Sequence, residues 1–254
     1  MGNLATALIA ALVLTLASPT GAEQTTTLPS KLGYTFYVRG ERVGESDVRL
    51  TTDRNSLRIE TKFRVDSGVD GIELSTRTEA DPRTYALRSF SYRGMKGGKP
   101  VSSSVTVEGD SVYGAVAVGG DERSHGRLVT PTPILVWEDW AMDIEILLGL
   151  QQAREFKNPA TRGVLLAGSY ASAAVTLGFT GEAAVEAGGR TLAARKLVVA
   201  IEGGAPFESL IDPKRGIPVY IHFPAMRAEV FLDDFFGDNP ASRYTAPSTP
   251  AKGR

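Results

Sequence analysis

The stretch Ser56–Asp66 reads SLRIETKFRVD. In an extended chain Leu57, Ile59, Thr61, Phe63 and Val65 share one side, and Arg58, Glu60, Lys62, Arg64 and Asp66 share the other. Strict alternation of this kind predicts a β-strand with one face on a core and one in water. The wet face also alternates in sign, which suits cross-strand ion pairs.

The neighbouring segments repeat the pattern. Tyr34, Phe36 and Val38 alternate with Thr35, Tyr37 and Arg39, and Gly40-Glu41 then turns the chain. Ser46, Val48 and Leu50 share a face of the next strand, and Asp53–Asn55 turns into the stretch quoted above. Ile72, Leu74 and Thr76 stand opposite Glu73, Ser75 and Arg77 until Asp81-Pro82 breaks the run. Further strands are predicted near 84–93, 99–108 and 111–118, with a loop at Gly94–Gly98 and a turn at Gly109-Asp110. Strands joined by turns at this spacing read as an antiparallel meander. Beyond the centre of the chain, strands are predicted at about 169–180, 182–187, 190–202, 206–212, 217–223 and 227–233.

One segment departs from the period of two. After Pro131-Thr132-Pro133, Trp140, Ala141, Ile144, Leu147 and Leu148 recur at helical spacing, with Trp137 one turn earlier. Glu138, Asp139, Asp143 and Glu145 crowd the first turns and Arg154 and Lys157 the last, as the helix dipole favours. A helix is therefore expected over about 138–156, stopped by Asn158-Pro159. The predicted fold is mainly β: an antiparallel meander forming an open half-barrel, with this helix across its concave face.

Composition narrows the function. The net charge of −1 lacks the basic excess that nucleic-acid binding requires. With no Cys there is no disulfide, thiolate nucleophile, thiolate metal site or lipid attachment at a cysteine. The 27 glycines in 254 residues exceed an average share of roughly 7 %. The pairs Gly97-Gly98, Gly119-Gly120, Gly188-Gly189 and Gly203-Gly204 read as turns, because no G-x-G-x-x-G pattern opens a helix.

Residues 4–17, LATALIAALVLTLA, form an uncharged apolar run too short for a membrane span, which needs about 20 residues. Followed by Ser18, Pro19 and Gly21, it suits a secretory signal cleaved near Ala22, with an uncleaved N-terminal anchor as the alternative. The expected organisation is a signal peptide at 1–22, one β-rich domain at 23–236 and a polar, Pro-rich disordered tail at 237–254. The location implied is periplasmic or secreted, with no transmembrane span in the mature chain.

The acidic group Glu138, Asp139, Asp143 and Glu145 has two readings. It is a set of dipole-compatible charges on a solvated helix face, or Asp139 and Asp143, one turn apart, perform acid/base hydrolysis. His125 and His222 lack ligand spacing and no G-x-S-x-G elbow is present, so no catalytic residue, metal site or cofactor is assigned. Asp212–Gly216 (DPKRG) reads as a turn, with phosphate contact through its basic pair as the alternative. Trp137 and Trp140, three residues apart, are expected on one helix face, either as core or as the wall of an apolar pocket.

Tyr34–Val38 followed by Gly40–Glu45 resembles the opening hairpin of a large uncharacterised family of secreted bacterial β proteins. Later features follow in a similar order: a strand ending near Tyr85 after Asp-Pro, a central helix bearing Asp139 or Asp143 after a Pro-rich stretch, and IDPKRGIPV at Ile211–Val219 before two strands. The architecture is similar to periplasmic lipoprotein carriers of the LolA/LolB type, whose unclosed barrel with a helical lid holds acyl chains. The resemblance implies binding of a hydrophobic small molecule or lipid on the concave face, and the strand alternation with the tryptophan spacing places the candidate residues there at Trp137, Trp140, Phe36, Ile59, Phe63 and Leu74. An envelope scaffold or assembly factor with a protein partner is the alternative function, and a carboxylate-dependent hydrolase a second.

Overall fold

The computed structural model describes residues 28–66, 71–129, 135–138, 140–154, 160–169 and 171–237. The N-terminal half runs β1 (Lys31–Val38), β2 (Glu41–Thr52), β3 (Leu57–Val65), β4 (Ile72–Ala80), β5 (Leu87–Lys96), β6 (Lys99–Glu108), β7 (Ser111–Val118) and β8 (Asp121–Val129). The short β9 (Leu135–Trp137) and the helix α1 (Met142–Arg154) follow. The second half runs β10 (Ala160–Leu166), β11 (Ala171–Ala187), β12 (Arg190–Ile201), β13 (Phe207–Asp212), β14 (Ile217–Phe223), β15 (Ala228–Leu232) and the single-turn α2 (Asp233–Phe236).

Among the described residues these strands make one open, curled sheet, ordered β8-β7-β6-β5-β4-β3-β2-β1-β15-β14-β13-β12-β11-β10-β9. The fold class read from the sequence is therefore the observed one. The chain starts in the middle of the sheet, meanders out to β8, crosses to the opposite edge and meanders back until β15 pairs with β1.

The period of two places the faces as expected. Leu57, Ile59, Thr61, Phe63 and Val65 are all buried, whereas Arg58 pairs across the outer face with Glu79 of β4 at 3.3 Å. The Asp53 turn is held by amides of Asn55 and Ser56 donating to Asp53 Oδ1 at 2.7 and 2.8 Å.

Four elements differ from expectation. The predicted Gly94–Gly98 loop shrinks to a turn, because β5 continues to Lys96 in register with β4. His125 lies in β8 rather than in a loop. The two strands expected at 169–180 and 182–187 are one long β11, because the break at Gly181 is a bulge (φ +138) opposite β12 rather than a turn. Finally β9 pairs parallel with β10, which the meander does not anticipate. Parallel neighbours need a long crossover, and α1 supplies it.

The helix is shorter than predicted, and its first expected turn is absent. Trp137 belongs to β9, paired opposite Leu166, and Trp140 has a left-handed φ of +68°. The two tryptophans therefore do not share a helix face; pairing with β10 outweighs the local helical period. α1 packs against β14, β3, β4, β9 and β2. It is enclosed: Met142, Ile144, Ile146, Leu147, Leu148 and Leu150 are buried, and so are Asp143, Glu145, Gln151 and Gln152. The expectation of a solvated acidic face is overturned, because the curled sheet surrounds the helix instead of covering one stripe of it.

Both ends of α1 are tied down. At its C-terminal half Gly149 lies against the turn between β13 and β14, where a Cβ would stand 2.4 Å from the Gly216 carbonyl oxygen. That turn is structural. Asp212 accepts from the Lys214 amide at 2.9 Å and from Arg215 Nε at 2.6 Å, which engages the Arg215 guanidinium within the turn itself. Ahead of α1, the buried Glu138 accepts from Lys96 Nζ of β5, and the Ala167 carbonyl accepts from Ser103 Oγ of β6 at 3.2 Å. These contacts bring the β9–β10 end of the sheet over the inner side of β5 and β6. Residues 1–27 and 238–254, which carry the expected signal and tail, lie outside the described residues.

Candidate functional site

The sheet has two ends. One carries the turns at 39–40, 97–98, 202–206 and 224–227 and the start of α1; we call it the mouth. A pocket of about 360 Å³ opens there between the 202–206 loop and the 224–227 turn. Its apolar wall comes from Trp137, Leu166, Ile201, Phe207, Phe223 and Met226.

The wall is built by register. Glu208 pairs with His222 across β13 and β14, so Phe207 and Phe223 fall opposite each other at the end of that ladder. Their ring centroids are 4.8 Å apart, and Trp137 of β9 lies 5.1 Å from Phe207 on the other side. Trp140 continues the run inward, 6.1 Å from Phe223 and 5.4 Å from Phe36. Offset and edge contacts at these separations are favourable beyond the area they bury. The pocket floor is thus the outer end of an aromatic stack that reaches the start of the helix. Met226, 47 % exposed, forms the lip on the 224–227 side.

The six residues expected to bind ligand divide in this structure. Trp137 lines the pocket. Trp140, partly buried, and Phe36, fully buried, connect to it through the aromatic run. Ile59, Phe63 and Leu74 are fully buried in the core of β3 and β4, which packs against α1. Phe207, Phe223, Ile201 and Met226 were not anticipated. The signal that points to them is that Phe207 and Phe223 terminate two strands of one hairpin, which places them side by side once the register around the Asp212–Gly216 turn is counted.

The acidic residues of α1 form a different environment. Asp143 is completely buried, and its Oδ2 accepts from Thr78 Oγ1 of β4 at 2.5 Å. Burial raises its pKa to about 6 against the opposing effect of the Thr78 hydroxyl. The Thr76 hydroxyl and the Ile144 amide lie close enough to favour the ionised form, yet Oδ1 has no hydrogen-bond partner among the described residues. Glu145 is enclosed with both oxygens similarly unpartnered, and desolvation raises its pKa to about 8. Burial thus favours the protonated form of both acids, and of Glu145 more than of Asp143, whose charge the Thr78 hydroxyl supports. Asp143 faces the packed interior rather than a cleft, so it does not present the solvent-fed carboxylate of a hydrolytic pair. Asp139 and the side chain of His125 lie outside the described residues. His222 is half-buried on β14 and stacks on Tyr220 at 6.3 Å.

No protein-family model matches the sequence, and no curated protein matches it. A crystal structure of a DUF1089 family protein from Pseudomonas aeruginosa is similar to this chain, with a TM-score of 0.40 and 12 % sequence identity. The likeness covers 71 % of this chain and 90 % of that one. Similarity at that level carries no inference about activity. No helix among the described residues is long and apolar enough to cross a membrane.

Proposed function

We propose that this protein is a non-enzymatic binding protein of the periplasm or extracellular space that takes a hydrophobic ligand, a lipid or acyl chain, at the mouth of its half-barrel. The observation that carries the reading is the pocket of about 360 Å³ on a floor of Trp137, Phe207 and Phe223. Pockets for small molecules are concave, mostly apolar and at least about 300 Å³ in volume. The interior beneath α1 is filled by the helix itself, so the ligand is assigned to the mouth rather than to the deep concave face. The plan of a curled, unclosed sheet around a helix supports the same reading, and the apolar segment at 4–17 supports the location.

Both tryptophans of the chain belong to the aromatic run, so intrinsic fluorescence reports directly on the site. Protein purified from its native host should release an alkyl-chain lipid on organic extraction, detected by mass spectrometry. Titration with an uncharged dodecyl amphiphile below its micellar concentration should shift the tryptophan emission saturably. No extractable lipid together with an unchanged emission would remove the proposal.

A further inference from the structure

Among the described residues that line the mouth pocket, Glu202 is the only ionisable one. The rest of the lining is apolar side chains and the backbone of the 202–206 loop. The carboxylate is held in place there. The Glu202 amide donates to the Ala174 carbonyl of β11 at 2.8 Å, and Glu202 Oε2 accepts from the Ala174 amide at 3.2 Å. Both ends of the residue are thus tied to the neighbouring strand, while the side chain keeps contact with solvent. It makes no ion pair among the described residues.

The same pocket offers little to an anion. Lys196 and Glu208, beside Phe207, pair with each other at 2.6 Å, and neither lines the pocket. Arg227 follows the lip residue Met226 in sequence but is outside the lining, and its carbonyl ties that turn to the Arg39 amide of the β1–β2 hairpin at 2.8 Å. Backbone donors are also spent: the Gly204 amide donates to the Ile201 carbonyl at 2.9 Å, the Glu202 amide is bonded to Ala174, and Pro206 has none.

Resting on the hydrophobic-ligand reading above, we propose that the ligand is a cationic amphiphile: one apolar chain against the Trp137–Phe207–Phe223 wall, and a protonated amine that donates to the Glu202 carboxylate. An ammonium carries donors alone and an ionised carboxylate acceptors alone, so the two are complementary. A hydrogen bond between such partners is stronger than one between neutral groups, and the apolar wall beside it reduces screening by water. An anionic head meets the like charge of Glu202 with no cation in the lining to offset it. An uncharged head gains no charge-assisted bond.

The test is a calorimetric titration at pH 7 and low salt with three dodecyl compounds below their micellar concentrations: dodecylammonium chloride, sodium dodecanoate and dodecyl maltoside. Dodecylammonium is expected to bind about five-fold more tightly than the maltoside, and dodecanoate more weakly than either. Glu202→Gln keeps an acceptor for the Ala174 amide and removes the charge, so it should abolish the preference for dodecylammonium over the maltoside. Glu108→Gln makes the same change of charge on an exposed residue at the opposite end of the sheet and should leave that preference intact. The inference is overturned if dodecylammonium binds no more tightly than the maltoside or dodecanoate, if its preference survives Glu202→Gln, or if Glu108→Gln removes it equally; the apolar pocket then stands without a cationic ligand. If none of the three compounds binds, the hydrophobic-ligand reading itself fails.

Discussion

Gly149, in the middle of α1, and Gly216, at the exit of the β13–β14 turn, meet backbone to backbone: a Cβ on Gly149 would stand 2.4 Å from the Gly216 carbonyl oxygen. The contact sets how deeply the helix sits in the curled sheet.

Two effects compete in Gly149→Ala. Alanine is favoured over glycine in a helix by about 1 kcal/mol. Against this, the new methyl meets a carbonyl that is itself held in a tight turn by the Gly216 amide donating to the Asp212 oxygen at 2.8 Å. Overpacking of that kind costs about 1–3 kcal/mol. Chemical denaturation should therefore show a net loss of stability. An unchanged or raised midpoint would mean that the helix can move away from the turn.

The buried acids make stability depend on pH in a defined direction. The Asp143 pKa rises from 3.8 to about 6 and the Glu145 pKa from 4.5 to about 8 on folding. Below about pH 3 both groups are largely protonated in both states, and their burial costs least. As pH rises the unfolded chain releases its protons first, so stability falls until about pH 8, where folded Glu145 ionises too. Each pKa unit is worth about 1.4 kcal/mol, so the combined loss has an upper bound of about 8 kcal/mol. Glu145→Gln should flatten the decline between about pH 6 and 8 in urea unfolding measured across that range. The same slope in the variant would place the titration elsewhere.

Thr78 supplies the hydrogen bond that Asp143 does make. Thr78→Val keeps the shape and leaves a buried carboxylate oxygen unpaired, a loss of about 1–3 kcal/mol. The Asp143 pKa should also rise further, visible as an upward shift of its carboxyl carbon titration by NMR. In an Asp143→Asn background the substitution should cost less, and a double-mutant cycle with no coupling would argue against the contact.

Trp137 and Phe63 separate binding from packing. Trp137 is partly exposed at the pocket, so Trp137→Ala should weaken dodecyl-probe binding about ten-fold or more, read calorimetrically. Phe63, 2 % exposed in the core, should instead lose about 3–5 kcal/mol of stability on Phe63→Ala. At temperatures where that variant stays folded, its probe affinity should change little. If Phe63→Ala abolished binding while folded, the ligand would lie deeper than the mouth.

Much of this architecture is legible in the chain alone, and particular residues show why. The alternation in Ser56–Asp66 determines which side chains face inward, because a strand presents successive residues to opposite faces whatever its neighbours are. The Asp53 and Asp212 turns are similarly local, since each carboxylate bonds amides two or three residues on. The central helix follows from its spacing and composition. The tertiary structure alone decided the long-range pairings: β1 beside β15, and β9 parallel to β10. A strand's pattern specifies a face and carries no record of which strand it joins. That pairing drew Trp137 out of the helix, and the curl of the sheet enclosed Asp143 and Glu145, residues that look like surface charges by sequence. It also brought Phe207, Phe223 and Trp137 together, because the pocket wall is made where distant strand ends meet and no local period records that meeting.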